Sequence, residues 1–356
     1  MTDQPDATSP LRPDAPNSSK ADAALPDGSS LAAVRCGQPR PDHAPIPTMP
    51  PPPTAGSCPA LVAGHNAMTS TGVARDFILV LPANVMPNEK LPVLFMWYWL
   101  GGSADEFLQR ADVQTDADAQ RFIAVIPSSI GAKVLGTSFD TKWPFDITQS
   151  TDRMNQEFSF FDDMLGCVEA QYNVDADCVS SVGVSAGALF TDQLAQARSQ
   201  TLASFTSLSG GVNDTIIKPW VGGGRKLPGV VLWGGNGPPT MDGVKDILGC
   251  FGIGMDFSVA SNDLETGLVA DGHFFVECIH NCGHVEPPLE VPMGETKFAG
   301  MWNFALSHPF WLPEGTSPYQ VTGLPADMPA WCGIGPHSAT PRSGPGCPAP
   351  ENPCTE

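Results

Sequence analysis

The sequence predicts an α/β protein in which helices flank a mostly parallel central sheet. Apolar runs rich in β-branched and aromatic residues alternate with segments of helical period, the rhythm that feeds successive strands into a parallel sheet. One run, Cys178 to Val184, passes through a turn of small residues directly into a helical segment, Ala188 to Arg198. The periodic residues are also confined to the middle of the chain, because both ends are rich in proline and poor in apolar side chains. The expected organisation is a disordered Pro-rich tail or tether over 1–58, one domain over 59–332, and a Pro- and Cys-rich tail over 333–356.

The elements follow in order. Phe77 to Leu81, Val93 to Trp97 and Phe122 to Ile126 read as strands. Phe158, Phe161, Leu165 and Val168 recur at three- and four-residue steps, the stripe of a helix that ends before Asn173. The strand Cys178 to Val184 and its helix come next, then short strands Phe205 to Ser209 and Val230 to Trp233. A helical pattern from Phe257 to Leu268, a strand from Phe274 to Ile279 and a helix from Phe298 to Ser307 complete the body. No internal repeat interrupts this order.

Composition narrows the function classes. A net charge of −20 with only 18 Lys+Arg repels a polyanion, and no local basic cluster offsets it, so nucleic acid is an unsuitable partner. No apolar run reaches the length of a transmembrane segment, and residues 1–30 hold no apolar core of a signal peptide. Ten cysteines nevertheless suit an oxidising compartment. The chain is therefore read as secreted or attached to the cell envelope, its signal sequence absent from this chain; a cytosolic protein with reduced, buried cysteines is the competing reading. Connectivity of the disulfides does not follow from spacing.

Gly183-Val184-Ser185-Ala186-Gly187 is a G-x-S-x-G pentapeptide at the strand-to-helix junction. Small residues on both sides let a serine occupy a strained turn with its hydroxyl exposed, as a nucleophile requires. With 36 glycines in the chain the pentapeptide alone is weak, so a base must accompany it. Of seven histidines, only His284 follows a strand directly and has a glycine before it, in Asn281-Cys282-Gly283-His284. It also lies C-terminal to Ser185, the order in which serine, acid and histidine occur in this kind of fold. Cys278, His280, Cys282 and His284 alternate as zinc ligands do, but extended they span about 20 Å, too far for one tetrahedral ion. No metal and no cofactor is expected. For an oxyanion hole, one donor is the amide of Ala186, which follows the nucleophile, and the second comes from the loop Tyr98 to Ser103, with Leu100 favoured over Trp99. The acid belongs on the loop after Val230 to Trp233. Asp242, between Pro238-Pro239 and Gly243, is favoured over Asp246, which is placed in the first turn of a helix.

These segments resemble the secreted polyhydroxybutyrate depolymerase and feruloyl esterase group of α/β-hydrolases over about residues 70–312. The likeness rests on Lys142-Trp143-Pro144, on Phe158 to Asp175, on the elbow Val182 to Ala188, on Leu208 to Gly211 and on Cys278 to Pro287. It implies the α/β-hydrolase fold, and Ser185 and His284 as nucleophile and base of a carboxylic-ester hydrolase working through an acyl-enzyme. Polyhydroxyalkanoate or related polyesters and feruloyl or acetyl polysaccharide esters are the implied substrates, with Trp143 a wall of the acyl pocket; apart from the likeness, Trp99 is a candidate substrate contact as an aromatic residue. Trp97 and Trp302 are candidate linings of the same site. Two segments depart from the group: aromatic residues replace its His-Gly pair at Tyr98 and Trp99, and its His-Gly-x-x-Asp segment is lengthened to Trp233 through Asp242. A non-catalytic binding protein on the same fold and a serine peptidase are the alternatives.

Overall fold

The computed structural model describes residues 30–31, 34–135, 137–213, 215–234, 243–248, 253–282, 284 and 296–343. β1 (Gly64–Ser70) and β2 (Val73–Val80) form an antiparallel hairpin; β3 (Leu91–Trp97) leads to the short helices α1 (Ala104–Arg110) and α2 (Val113–Gln120). β4 (Ile123–Pro127) precedes the long α3 (Thr151–Gln171), and β5 (Val174–Val184) runs into α4 (Ala186–Ala197). β6 (Ser204–Leu208) and β7 (Gly229–Gly234) follow, then a separate two-stranded sheet of β8 (Gly243–Leu248) and β9 (Ile253–Asp256). α5 (Phe257–Asp271), β10 (Phe275–His280), α6 (Ala299–Leu306), α7 (Tyr319–Thr322) and β11 (Cys332–Ile334) end the described body.

The main sheet has the order β1-β2-β4-β3-β5-β6-β7-β10-β11, parallel from β4 through β10 and antiparallel at both ends. This is the α/β-hydrolase arrangement that the strand-helix order predicted. Every residue of β3, β4, β6, β7 and β10 is buried, because helices cover both faces, and such strands read as continuous apolar runs. β1 escapes that pattern, since its side chains alternate between buried and exposed and it carries few large apolar residues.

β5 lies in the middle of the sheet, between β3 and β6, so its C-terminal end is held on both sides. Aromatic packing fixes it from behind: Trp97 meets Trp143 edge-on at 5.1 Å and Phe190 of α4 at 4.7 Å, and its indole N–H donates to Ser181 Oγ at 3.0 Å. Across the sheet, Arg75 of β2 and Glu157 of α3 form a buried pair at 2.7 Å, with Arg153 one turn earlier on the same carboxylate at 2.6 Å. Two guanidinium groups on one carboxylate meet the condition under which a buried charge is tolerated.

The ends of the domain differ from the compositional boundaries at 58 and 333. Residues 34–58 are a strap laid over α3 and the start of β5, tied by the disulfides Cys36–Cys178 and Cys58–Cys167. Thr54 N donates to Asp163 at 2.8 Å, Thr48 N to the Gln200 carbonyl at 2.7 Å, and Arg40 forks onto Asp177. Proline-rich composition signals disorder when nothing anchors the chain; here disulfides closing separations of 142 and 109 residues anchor it, each worth about 4 to 5 kcal/mol in the chain-entropy account. Beyond 332, β11 and residues 335–343 stay on the body. Glu277, buried in β10, accepts the backbone N–H groups of His337, Ser338 and Ala339, and Cys278 is bonded to Cys332.

Two buried carboxyls give the fold a pH dependence. Burial pushes Asp192 of α4 up to about 8 against hydrogen bonds from Gly211 N and Ser207 Oγ. Burial likewise raises Glu265 of α5 to about 8, and the adjacent Glu277 carboxylate adds to the effect. Their folded pKa values lie above the ordinary 3.8 and 4.5, so the folded state binds more protons and stability falls as pH rises toward 8. Buried His308, pushed down to about 4 from 6.5, acts in the opposite sense below pH 6.5, and Glu169, which burial raises to about 7, adds its own fall up to about pH 7, so the window that reports Asp192 and Glu265 is about pH 7 to 8. Unfolding free energies from urea titration are expected to drop across that window, by at most about 1.4 kcal/mol per pH unit per group. Asp192→Asn with Glu265→Gln flattens the slope; an unchanged slope in the double variant would contradict the assignment.

Candidate active site

Ser185 stands between β5 and α4 with φ 55° and ψ −120°, a backbone conformation that a side-chain-bearing residue adopts only when its surroundings enforce it. The enforcement is visible. Ser185 N donates to the Leu208 carbonyl of β6 at 2.8 Å, and Leu189 N donates to the Ser185 carbonyl at 3.0 Å. Both pentapeptide glycines are sterically required: a Cβ on Gly183 would strike the Gly187 carbonyl, and one on Gly187 would strike the carbonyls of Trp97 and Tyr98. The pattern G-x-S-x-G is thus the packing condition for bringing α4 against the ends of β3 and β5.

His284 reaches this turn from the loop after β10. Its Nε2 lies 2.8 Å from Ser185 Oγ, a hydrogen-bonding distance across a separation of 99 residues. Phe257, the first residue of α5 and fully buried, stacks on the imidazole with centroids 4.2 Å apart and planes 22° apart. The loop is braced from behind by the chain beyond 332: Arg342 N donates to the Ile279 carbonyl at 2.9 Å and its guanidinium to Asn281 Oδ1 at 2.6 Å. Cys278 and Cys282 are both disulfide-bonded, so neither supplies a thiolate to a metal.

A second serine–histidine contact shows what distinguishes the first. His308 Nε2 lies 2.7 Å from Ser317 Oγ, and its Nδ1 bonds the Phe304 carbonyl at 2.7 Å. Both residues are fully buried, and Ser317 Oγ also accepts from Tyr319 N at the start of α7, so that pair is structural. Ser185 instead sits beside a cavity of about 190 Å³ whose wall includes Leu100, Ala186, Leu189, Ile216 and Phe257.

The predicted site residues are distributed as follows. Ser185 and His284 come together, and Leu100 and Ala186 both face the cavity next to them. Trp143, expected as a pocket wall, lies instead in the core: it is fully buried, and its indole N–H donates to the Tyr98 carbonyl at 2.8 Å, behind the loop that follows β3. Trp97 and Trp302 are fully buried as well, the latter bonded to Asp116 at 2.6 Å. Trp99 turns toward α1, stacking on Phe107 at 6.0 Å beneath the Arg110 guanidinium at 4.8 Å. Asp242 lies outside the described residues. Asp246 is in β8, a strand of an antiparallel hairpin, where the sequence suggested a helix start. Phe257 and Ile216 were missed; both come from elements remote in sequence and carry no local motif.

No protein-family model and no curated protein matches the chain. Among solved structures it is similar to native pOPH (TM-score 0.59, 19% identity, covering 79% of this chain and 98% of that one) and to native sOPH (TM-score 0.59, 19% identity, 78% and 97%). A ferulic acid esterase from Anaeromyces mucronatus is a more distant likeness, at TM-score 0.47, 12% identity, 70% and 91%. Fold and geometry together define an α/β-hydrolase-fold protein with a hydrogen-bonded serine–histidine pair at the strained turn between β5 and α4.

Proposed function

We propose that the protein is a serine carboxylic-ester hydrolase acting through an acyl-enzyme. The observation that carries this reading is the 2.8 Å contact between His284 Nε2 and Ser185 Oγ at a strained elbow beside an open cavity. In the mechanism, His284 takes the hydroxyl proton as Ser185 Oγ attacks the ester carbonyl, and the developing oxyanion is held by backbone amides, with Ala186 and Leu100 the assigned donors. His284 then returns the proton to the leaving alcohol. A water activated by the same imidazole hydrolyses the acyl-enzyme. Asp242 is assigned as the carboxylate that fixes the imidazole tautomer and stabilises its protonated form.

Polyester chains and feruloyl or acetyl esters of polysaccharide are the substrate classes we assign, and the disulfides Cys36–Cys178, Cys58–Cys167 and Cys278–Cys332 support an extracellular or envelope setting. A serine-to-alanine variant of pOPH is known in complex with pNPB (TM-score 0.58, 18% identity, covering 79% of this chain and 97% of that one). The test is turnover of short and medium p-nitrophenyl esters, abolished by a serine-directed fluorophosphonate. Silence across the panel with no covalent labelling would favour a binding protein on this fold, and preferential turnover of amides a peptidase.

A further inference from the structure

Resting on the ester-hydrolase reading, the geometry points to the cavity beside the elbow as an acyl site sized for a compact hydrocarbon chain of about six to eight carbons. The cavity measures about 190 Å³ and is walled by Leu100, Phe145, Leu189, Ile216 and Phe257 among others. An apolar cavity of about 150 Å³ holds one benzene molecule, six carbons, so this one takes roughly eight. Three of its polar wall residues, Thr141, Asp146 and Thr148, direct their side-chain hydrogen bonds into their own loop. Thr141 Oγ1 bonds the Ala132 and Trp143 carbonyls at 2.8 and 3.0 Å, Thr148 Oγ1 donates to Asp146, and the other Asp146 oxygen accepts from Gln149 at 2.8 Å.

Position identifies which half of the ester enters. The wall includes Ala186, directly after the proposed nucleophile, Leu100 of the assigned oxyanion loop, Phe145 and Ile216, and among the described residues it takes none from β10 or from the loop that carries His284. The leaving alcohol must stay near His284 to receive its proton, so the cavity is left for the acyl chain. Phe257 closes the boundary between the two, with its ring on the imidazole and its surface on the cavity.

The experiment is a series of p-nitrophenyl esters from acetyl to dodecanoyl, with kcat/KM measured on wild type, Ile216→Trp and Ile216→Ala. Each methylene buried is expected to raise kcat/KM about fourfold. The gain accumulates to about 250-fold from acetyl to hexanoyl and stops beyond octanoyl. Ile216→Trp fills the cavity and is expected to cut the hexanoyl-to-acetyl ratio at least tenfold, while Ile216→Ala moves the optimum toward decanoyl. If one variant fails to fold, the other still reports, because the readout is a ratio within one protein. A profile that is flat or highest at acetyl, or an optimum unmoved in a folded Ile216 variant, would overturn the proposal while leaving the hydrolase reading in place. No turnover at any length, with no fluorophosphonate labelling, would overturn both.

Discussion

Ser185→Ala is expected to lower ester turnover by on the order of 10⁴-fold or more, and adding His284→Ala to it costs almost nothing further. In the proposed mechanism the two residues act as one unit, because the hydroxyl becomes a nucleophile only as Nε2, 2.8 Å away, removes its proton. Losing either partner forfeits nearly the whole gain. The fold will survive the substitution: Ser185 makes no side-chain cap to α4, and its strained φ/ψ is held by backbone hydrogen bonds that alanine retains. A cycle of wild type, both single variants and the double, each checked for an unchanged melting temperature, measures this. Losses that multiply independently would contradict the shared mechanism.

The second large effect concerns the acid. Asp242→Asn keeps size and polarity but removes the charge that stabilises the imidazolium, so kcat is expected to fall by roughly 10³ to 10⁴ with the melting temperature unchanged. In sequence Asp242 stands directly before β8, in the segment between β7 and β8, which is why it is the carboxylate proposed for His284. Asp246 belongs to β8 itself, and Asp246→Asn is expected to retain most of the turnover. Collapse in Asp246→Asn alongside near-normal rates in Asp242→Asn would show that the carboxylates have been assigned the wrong way round.

How much of this was legible in the sequence follows from how local each constraint is. The elbow is a local packing problem, with two glycines required within five residues, so the motif carried it. The buried parallel strands announce themselves as apolar runs. β1 does not, because one of its faces is in solvent. α1 was missed although Ser103, which accepts from Glu106 N at 3.2 Å, spells the start of a capping box in the sequence. The strap over 34–58 was illegible because its order comes from disulfides and from contacts to α3, β5 and the turn after α4, all more than 100 residues away, and proline-rich composition says nothing about those partners. The cavity wall is non-local in the same way: Leu100, Phe145, Ile216 and Phe257 come from four separate loops and helix starts. Trp143 failed in the other direction. A tryptophan near a site reads as a platform, yet an indole with a backbone carbonyl within reach packs as well in the core.

The central claim, that His284 activates Ser185 in a nucleophile elbow, is tested most directly by locating a fluorophosphonate label in the disulfide-intact protein by peptide mapping and following its rate. A single adduct on Ser185 is expected, forming at least a hundredfold more slowly in His284→Ala. A label on another serine, or a labelling rate at Ser185 indifferent to His284, would contradict it.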